Sequence, residues 1–164
     1  MPYSRPSSAL NEHSLIVEPA RRDDVAAVVA LLADDFLGRL RDRCDHDGLI
    51  QYQKAFDAID LDPNNTLFVA RLDDTIAGCF QFTLIPGLSF GGRPRAQIES
   101  VRTRNDLRGR GIGAAMMEFA IARARSEGCC LVQLSTNKQR VDAHRFYKRL
   151  GFEATHQGMK LMLG

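Results

Sequence analysis

The residues with the clearest capacity for chemistry in this chain are the run Arg108-Gly109-Arg110-Gly111-Ile112-Gly113. It lies between a stretch of strand character that ends near Thr103 and an apolar, helix-like periodicity that begins at Ile112. The start of a helix presents backbone N–H groups with no partner inside the helix, and it carries a partial positive charge. Glycines there let an anion approach those amides with no Cβ in the way, so the run reads as a phosphate-binding turn. Arg108 and Arg110 add guanidinium donors suited to a polyphosphate, and Arg102 and Arg104 extend the basic cluster, offset only by Asp106. Charge alone would equally describe a solvated loop. The glycine spacing just ahead of a helix is what favours an anion site.

Two other phosphate-binding patterns fit less well. Gly109, Gly111 and Ala114 have the spacing of a dinucleotide fingerprint, but residues 105–108 separate the strand from the first glycine, which that fingerprint places at the tight turn. The next strand runs into Ser135-Thr136-Asn137, where an acidic residue for the ribose would be needed. No run pairs Lys with Ser/Thr as a nucleoside-triphosphate loop does.

Such a turn needs a scaffold, and the rest of the chain supplies one. Residues 15–17 form a short apolar run closed by Pro19. Asp23 or Asp24 can cap a helix whose apolar face is Val25, Val28, Val29, Leu32 and Phe36, and which breaks near Gly38. A second helix is expected over residues 49–59, then a turn at Asp62-Pro63-Asn64-Asn65 and a hairpin of strands 66–72 and 75–84 joined at Asp73-Asp74. Strand character resumes over 96–103, and the helix from Ile112 stops before Gly128, where a left-handed cap is expected. A buried strand at 131–134, a helix at 142–150 and one or two final strands over 153–163 complete the pattern. The strand-helix-strand crossover joins parallel strands, whereas the hairpins are antiparallel. The expected fold is α/β, with a mixed, mostly antiparallel central sheet of about six to seven strands flanked by about four helices.

The glycine run resembles the Arg/Gln-x-x-Gly-x-Gly/Ala motif of the GNAT superfamily of acyl-CoA N-acyltransferases. His144-Arg145-Phe146-Tyr147-Lys148-Arg149-Leu150-Gly151-Phe152 is similar to the "FYxxLGF" block that follows in that family. The two blocks stand in the family's order with a strand-helix-strand between them, and motif-level similarity spans Ile98 to Phe152. The resemblance implies an N-acetyltransferase that uses acetyl-CoA as cosubstrate and acylates a primary amine of a small molecule or a protein by direct attack. It implies that the backbone of Arg108, Gly109, Arg110, Gly111, Ile112 and Gly113 holds the coenzyme pyrophosphate, and that the backbone of Val101 and Thr103, on a strand splayed at a bulge, pairs with the pantetheine arm. It makes Tyr147 the general acid for the leaving thiolate. Glu99 is the candidate for removing the amine's proton or binding a cationic amine, because strand alternation would put it on the face of Val101 and Thr103; a surface carboxylate is the competing reading. His144 and His156 are weaker candidates. Where the family often has asparagine seven residues before the tyrosine, this chain has Arg140, so either Asn137 or Arg140 is expected at the coenzyme. A non-catalytic acyl-CoA binding or sensing domain of the same fold is the alternative function.

Bulk properties set limits on partners and compartment. At 164 residues, with 45% hydrophobic and 26% charged side chains, the chain fits one soluble domain, expected as a flexible arm at 1–13 and a domain at 14–164. A net charge of +2 points to neither nucleic acid nor membrane. Cys44, Cys79, Cys129 and Cys130 lack metal-ligand spacing, so no metal is expected and the cysteines read as buried small hydrophobes. The polar N-terminus carries no secretory pattern, which favours the cytoplasm. A homodimer would be consistent with the resemblance, although no interface stripe is visible.

Overall fold

Apolar runs of alternating type, separated by turn residues, assemble into a five-stranded sheet with helices on both faces. The computed structural model describes residues 14–34 and 46–163; the arm expected at 1–13, Phe36, the helix break near Gly38 and Cys44 lie outside the described residues. The strands are β1 (Leu15–Pro19), β2 (Asn65–Leu72), β3 (Thr75–Ile85), β4 (Arg95–Thr103) and β5 (Val132–Leu134). The helices are α1 (Val25–Ala33), α2 (His46–Leu61), α3 (Ile112–Ser126) and α4 (Val141–Arg149). The strands lie in the order β1-β2-β3-β4-β5, antiparallel except for the parallel β4–β5 pair across which α3 makes the crossover.

The period-two pattern of β2 and β3 divides the core between the faces. Phe68, Phe80, Phe82 and Ile98 pack against Ile112, Met116, Met117 and Ala120 on the α3 side. Phe68 and Phe80 stack at 5.1 Å, and Phe119 closes on Phe68 edge-first at the same distance. On the other side Val69 and Cys79 pack against Val25, Val28, Val29 and Phe56 of α1 and α2. Gly78 is required by close approach: a Cβ there would lie 2.7 Å from the Arg102 carbonyl oxygen and 2.8 Å from Met116 Cε. Its lack of a side chain lets α3 and β4 meet over β3.

Two expectations are corrected. Asp24 precedes α1 but makes no side-chain cap bond to it. Its buried carboxylate accepts the Arg21 amide at 2.8 Å and Arg71 Nη2 at 2.8 and 2.7 Å, while Arg71 Nε reaches Glu18 at 2.6 Å. Asp24 thus ties α1 to β1 and β2 through a half-buried ion-pair network. The final strands expected over 153–163 do not form: these residues carry no strand and are exposed throughout. Apolar alternation is present there, but a strand also needs an edge to pair with, and the tail does not run along the sheet.

Candidate active site

The turn between β4 and α3 is shaped by two left-handed residues, Gly109 (φ +78°) and Gly111 (φ +84°). A Cβ at either would meet nothing within 4 Å, so glycine is favoured by backbone conformation and not by crowding. Gly111 is the N-cap of α3, and the helix's first bond is Ala115 N–H to the Gly111 carbonyl at 3.0 Å. The amides of Ile112, Gly113 and Ala114 precede that bond and have no intrahelical acceptor; among the described residues no side chain caps them, and no acidic residue occupies the first turn. Arg108 and Arg110 are exposed beside them. Arg104 is engaged elsewhere, donating to Asp106 at 2.7 and 3.1 Å, and this guanidinium holds the Asp106 carboxyl below its usual range. Asn105 Nδ2 donates to the Asp34 carbonyl at 3.2 Å, anchoring the turn to the end of α1. Gly113 faces inward: a Cβ would lie 3.4 Å from Phe146 Cζ and 3.6 Å from Thr103 Oγ1, so the first turn of α3 sits against both α4 and β4. These donors fit a diphosphate, and Asp106, the carboxylate of the turn, is engaged by Arg104 and feels the charge of Arg110.

β4 leaves regular pairing just before this turn. Cys79 pairs with Arg102 and Gln81 with Glu99, so Ser100 and Val101 together oppose Phe80 in a bulge, with Ser100 at φ +55°. On its other edge β4 pairs with β5 only through Ala96–Val132, Gln97–Gln133 and Ile98–Leu134. Past Ile98 the two strands part, which leaves a fork whose β4 wall is residues 99–103. The extra residue also changes the faces. Val101 packs on the α3-side core, and Thr103 pairs with Gly78 beneath α3. Glu99 and Arg102 share the opposite face with their partners Gln81 and Cys79, toward α1 and α2. The expectation that Glu99 shares a face with Val101 and Thr103 is therefore overturned by the bulge.

Tyr147 of α4 stands half-buried on the α3 side of the core, edge-on to Phe146 (5.1 Å) and Phe152 (5.8 Å). Burial raises its pKa, opposed by the positive charges of Arg102 and Arg140. Arg140 is the N-cap of α4, and its carbonyl accepts the His144 amide at 3.1 Å. Asn137 is committed locally: its Oδ1 accepts the Gln139 amide at 2.9 Å and its carbonyl accepts the Arg140 amide at 3.0 Å. His144 Nε2 donates to that same carbonyl at 3.1 Å, a structural use that holds the turn before α4. His156 lies in the exposed tail, bonded through Nδ1 to Thr155 Oγ1 at 2.8 Å.

Arg102, Ser100 and Gly78 matter to this geometry without having been singled out for it. Ser100 carries no glycine or proline signal for a bulge, and the role of Gly78 depends on Met116 and Arg102, both far from it in sequence. Cys79 is fully buried, and burial pushes its thiol up to about 12, which removes it as a nucleophile near neutral pH. Cys129 and Cys130 are only half-buried, less enclosed than expected. A cavity of about 90 Å³ lies between α1, α2 and the sheet, apolar except for a few groups that include Gln81 and Ser100, so it adjoins the bulge. A larger one of about 200 Å³ by Pro63 shares no residue with the turn, β4 or α4.

Residues 25–152 match the Acetyltransferase (GNAT) family. The aminoalkylphosphonate N-acetyltransferase of Salmonella typhimurium is 30% identical over 141 residues, covering 84% of each chain. Among solved structures, a transcriptional regulator from Bacillus halodurans aligns with a TM-score of 0.88 and 44% identity, over 92% of this chain and 100% of that one. Glucosamine-6-phosphate N-acetyltransferase from Arabidopsis thaliana shares the fold at a TM-score of 0.75 and 18% identity, over 92% and 99%. Among the described residues no helix is long and apolar enough to cross a membrane. The family match spans both the turn before α3 and the aromatic block of α4, and with it the chain belongs to the GNAT family, as an acetyltransferase of the fold that uses acetyl-CoA.

Proposed function

We propose that the protein transfers the acetyl group of acetyl-CoA to a primary amine by direct attack, with Tyr147 as general acid. The observation that carries this reading is the convergence of the uncapped α3 amides and the β4–β5 fork with a phenol that burial keeps protonated. The amides of Ile112 and Gly113, with Gly109, Gly111, Arg108 and Arg110 shaping and charging the turn, hold the pyrophosphate. The backbone of Val101 and Thr103, on the side of β4 that β5 has left, receives the pantetheine. Asn137 and Arg140 remain the two alternatives at the coenzyme; the Oδ1 of Asn137 is used by the Gln139 amide.

In the reaction the amine nitrogen attacks the thioester carbonyl and the C–S bond breaks as the carbonyl re-forms. The departing sulfur takes the Tyr147 proton, and the nitrogen loses one of its own to a base. Arg102 and Arg140 then stabilise the phenolate that is left. Glu99, on the same face as Gln81 and the cavity it lines, is assigned to receive the amine proton or to draw in a cationic amine. The acceptor is a small-molecule amine in this proposal, because the Salmonella typhimurium relative is an enzyme for aminoalkylphosphonates and Arg102 gives the Glu99 face a positive charge beside the carboxylate. A cytoplasmic location belongs to the same proposal.

The likeness to a transcriptional regulator favours a second reading, a domain that binds acyl-CoA without turnover. Thiol release from acetyl-CoA, measured across aminoalkylphosphonates, other primary amines and peptides, separates the two. Tyr147→Phe is expected to lower kcat by about 10²–10⁴, the usual worth of a positioned acid, while acetyl-CoA binding persists. Absence of turnover with every amine, alongside intact acetyl-CoA binding, would establish the sensing reading instead.

A further inference from the structure

Protein interiors are close-packed and carry few voids larger than a water molecule. The cavity of about 90 Å³ between α1, α2 and the sheet is such a void, and it adjoins the bulge of β4. Its apolar walls come from three elements: Val28, Val29 and Leu32 of α1, Phe56 and Ile59 of α2, and Leu67 of β2. No charged side chain lines it among the described residues. A dry, uncharged space of this kind takes up apolar groups and not ions.

The lining is asymmetric. Its polar members Gln81 and Ser100 stand on β3 and β4, and Gln81 is the cross-strand partner of Glu99. Ser100 is exposed whereas Val28, Val29 and Phe56 are buried, so solvent and polarity lie toward the bulge and apolar cover lies toward the helices. Gln81 Nε2 donates to Asn65 Oδ1 at 3.1 Å, and its Oε1 is an acceptor suited to an amine N–H. A ligand matched to this arrangement has a nitrogen at one end and hydrocarbon at the other.

We propose that the acceptor is a primary amine bearing a compact alkyl group, which fills this cavity while its nitrogen lies at the rim beside Gln81 and Glu99. The inference rests on the acetyl-transfer reading and narrows its acceptor from any small amine to an alkylamine. An apolar cavity of about 150 Å³ holds the six carbons of benzene, so one of about 90 Å³ holds about three to four. Each methylene that the walls remove from water contributes about fourfold to kcat/KM. A phosphonate in place of the alkyl group would lose its hydration against walls that supply no cation.

Straight-chain amines from ethylamine to hexylamine have nearly one basicity, so their kcat/KM values with acetyl-CoA compare the chains and not the nucleophile. A rise of about fourfold per carbon is expected up to butylamine or pentylamine, with no further gain at hexylamine. 2-Aminoethylphosphonate is expected to fall below butylamine. Leu32→Ala, which enlarges the cavity from a half-buried position, is expected to move the optimum to longer chains, and Val28→Leu, which adds a methylene to a buried wall, to shorter ones. A loss of stability alone lowers all the amines together and moves the optimum in neither direction. Calorimetric binding of the same amines to the protein loaded with coenzyme A follows the chains without turnover. Binding that grows with chain length but yields no thiol from acetyl-CoA would refute the acetyl-transfer reading and leave the cavity's occupant standing. Turnover or binding indifferent to chain length, no binding of any alkylamine, an optimum unmoved in both variants, or a preference for the phosphonate would each overturn the proposal.

Discussion

Gly111 and Gly128 stand at the two ends of α3 and form a matched pair for testing the phosphate turn. Both are left-handed, at φ +84° and +71°, and a Cβ at either would meet nothing within 4 Å. Valine at either position therefore carries the same backbone penalty, about 1–2 kcal/mol, with no clash added. For a domain of this size that lowers Tm by about 2–8 °C in both variants. Their effects on ligand binding should diverge. Gly128 closes the far end of the helix, its amide donating to the Arg125 carbonyl at 3.0 Å, whereas Gly111 sets the direction of the amides that open it. A valine that relaxes out of the left-handed region at 111 rotates the neighbouring peptide planes and withdraws about two donors from the anion. At about 1.5–3 kcal/mol for each bond to a charged group, that is about 3–6 kcal/mol, or a 10²–10⁴-fold loss of affinity. Acetyl-CoA at about 100 times the wild-type Kd stabilises the native state by about 2.7 kcal/mol, which raises Tm by about 5–11 °C. The Gly128→Val variant should show that same rise from its lower baseline. Gly111→Val, with affinity down 10²-fold or more, should gain at most about 0.4 kcal/mol and shift by about 1–2 °C. Scanning calorimetry with and without acetyl-CoA measures all four differences. A Gly111→Val protein with the full wild-type shift, or two variants that lose it equally, would refute the assignment of the turn.

The ion-pair network behind the acceptor face should be worth more than any surface pair. Asp24→Ala leaves the Arg71 guanidinium with Glu18 alone and should cost about 1.5–3 kcal/mol in urea unfolding, whereas Asp57→Ala, which breaks the exposed pair with Arg22, should change stability by under about 1 kcal/mol. Cys79 should resist iodoacetamide in the native protein at pH 8 and react only on unfolding, since burial holds it as a thiol. Its folded pKa lies above its unfolded one, so the linked stability is complete below pH 9 and is lost as pH rises toward 12. Tyr147 shifts in the same direction from 10, so the proposed general acid keeps its proton throughout the neutral range: kcat/KM should climb with pH as the amine deprotonates and show no descending limb below pH 10. A descending limb near pH 8 would assign the acid role to another group.

Most of the scaffold was legible because its signals are local. The expected helix from Ile112 to the Gly128 stop is α3, Ile112–Ser126, and the hairpin turning at Asp73-Asp74 is β2–β3. Glycines at 109 and 111 mark the turn because only backbone freedom is needed there, and that is a property of single residues. Long-range partners were not legible. Asp24 has the residue type and place of a helix cap, but its carboxylate is used by the Arg21 amide and by Arg71, which lies 47 positions away. The tail has the alternation of a strand, but alternation does not supply an edge to pair with.

The bulge at Ser100 is the most instructive case, because the site exists where the strand's period is broken. An uninterrupted alternation would put Glu99, Val101 and Thr103 on one face and Ser100 and Arg102 on the other. One extra residue opposite Phe80 re-phases everything after it, so that the carboxylate of Glu99 and the guanidinium of Arg102 come to the same α1–α2 side. Thr103 is turned at the same step to meet the first turn of α3 at Gly113. In the proposed mechanism a single local insertion therefore does two things. It gathers opposite charges on the face where an amine would enter, and it frees the edge of β4 beside the helix start that would hold the donor. The family resemblance implies a bulge on this strand, but no residue there marks its position: serine at φ +55° is imposed by the pairing on either side, with Gln81–Glu99 before and Cys79–Arg102 after. Pattern reading assumes that period, so it is least reliable at the residues on which the proposed acceptor chemistry turns.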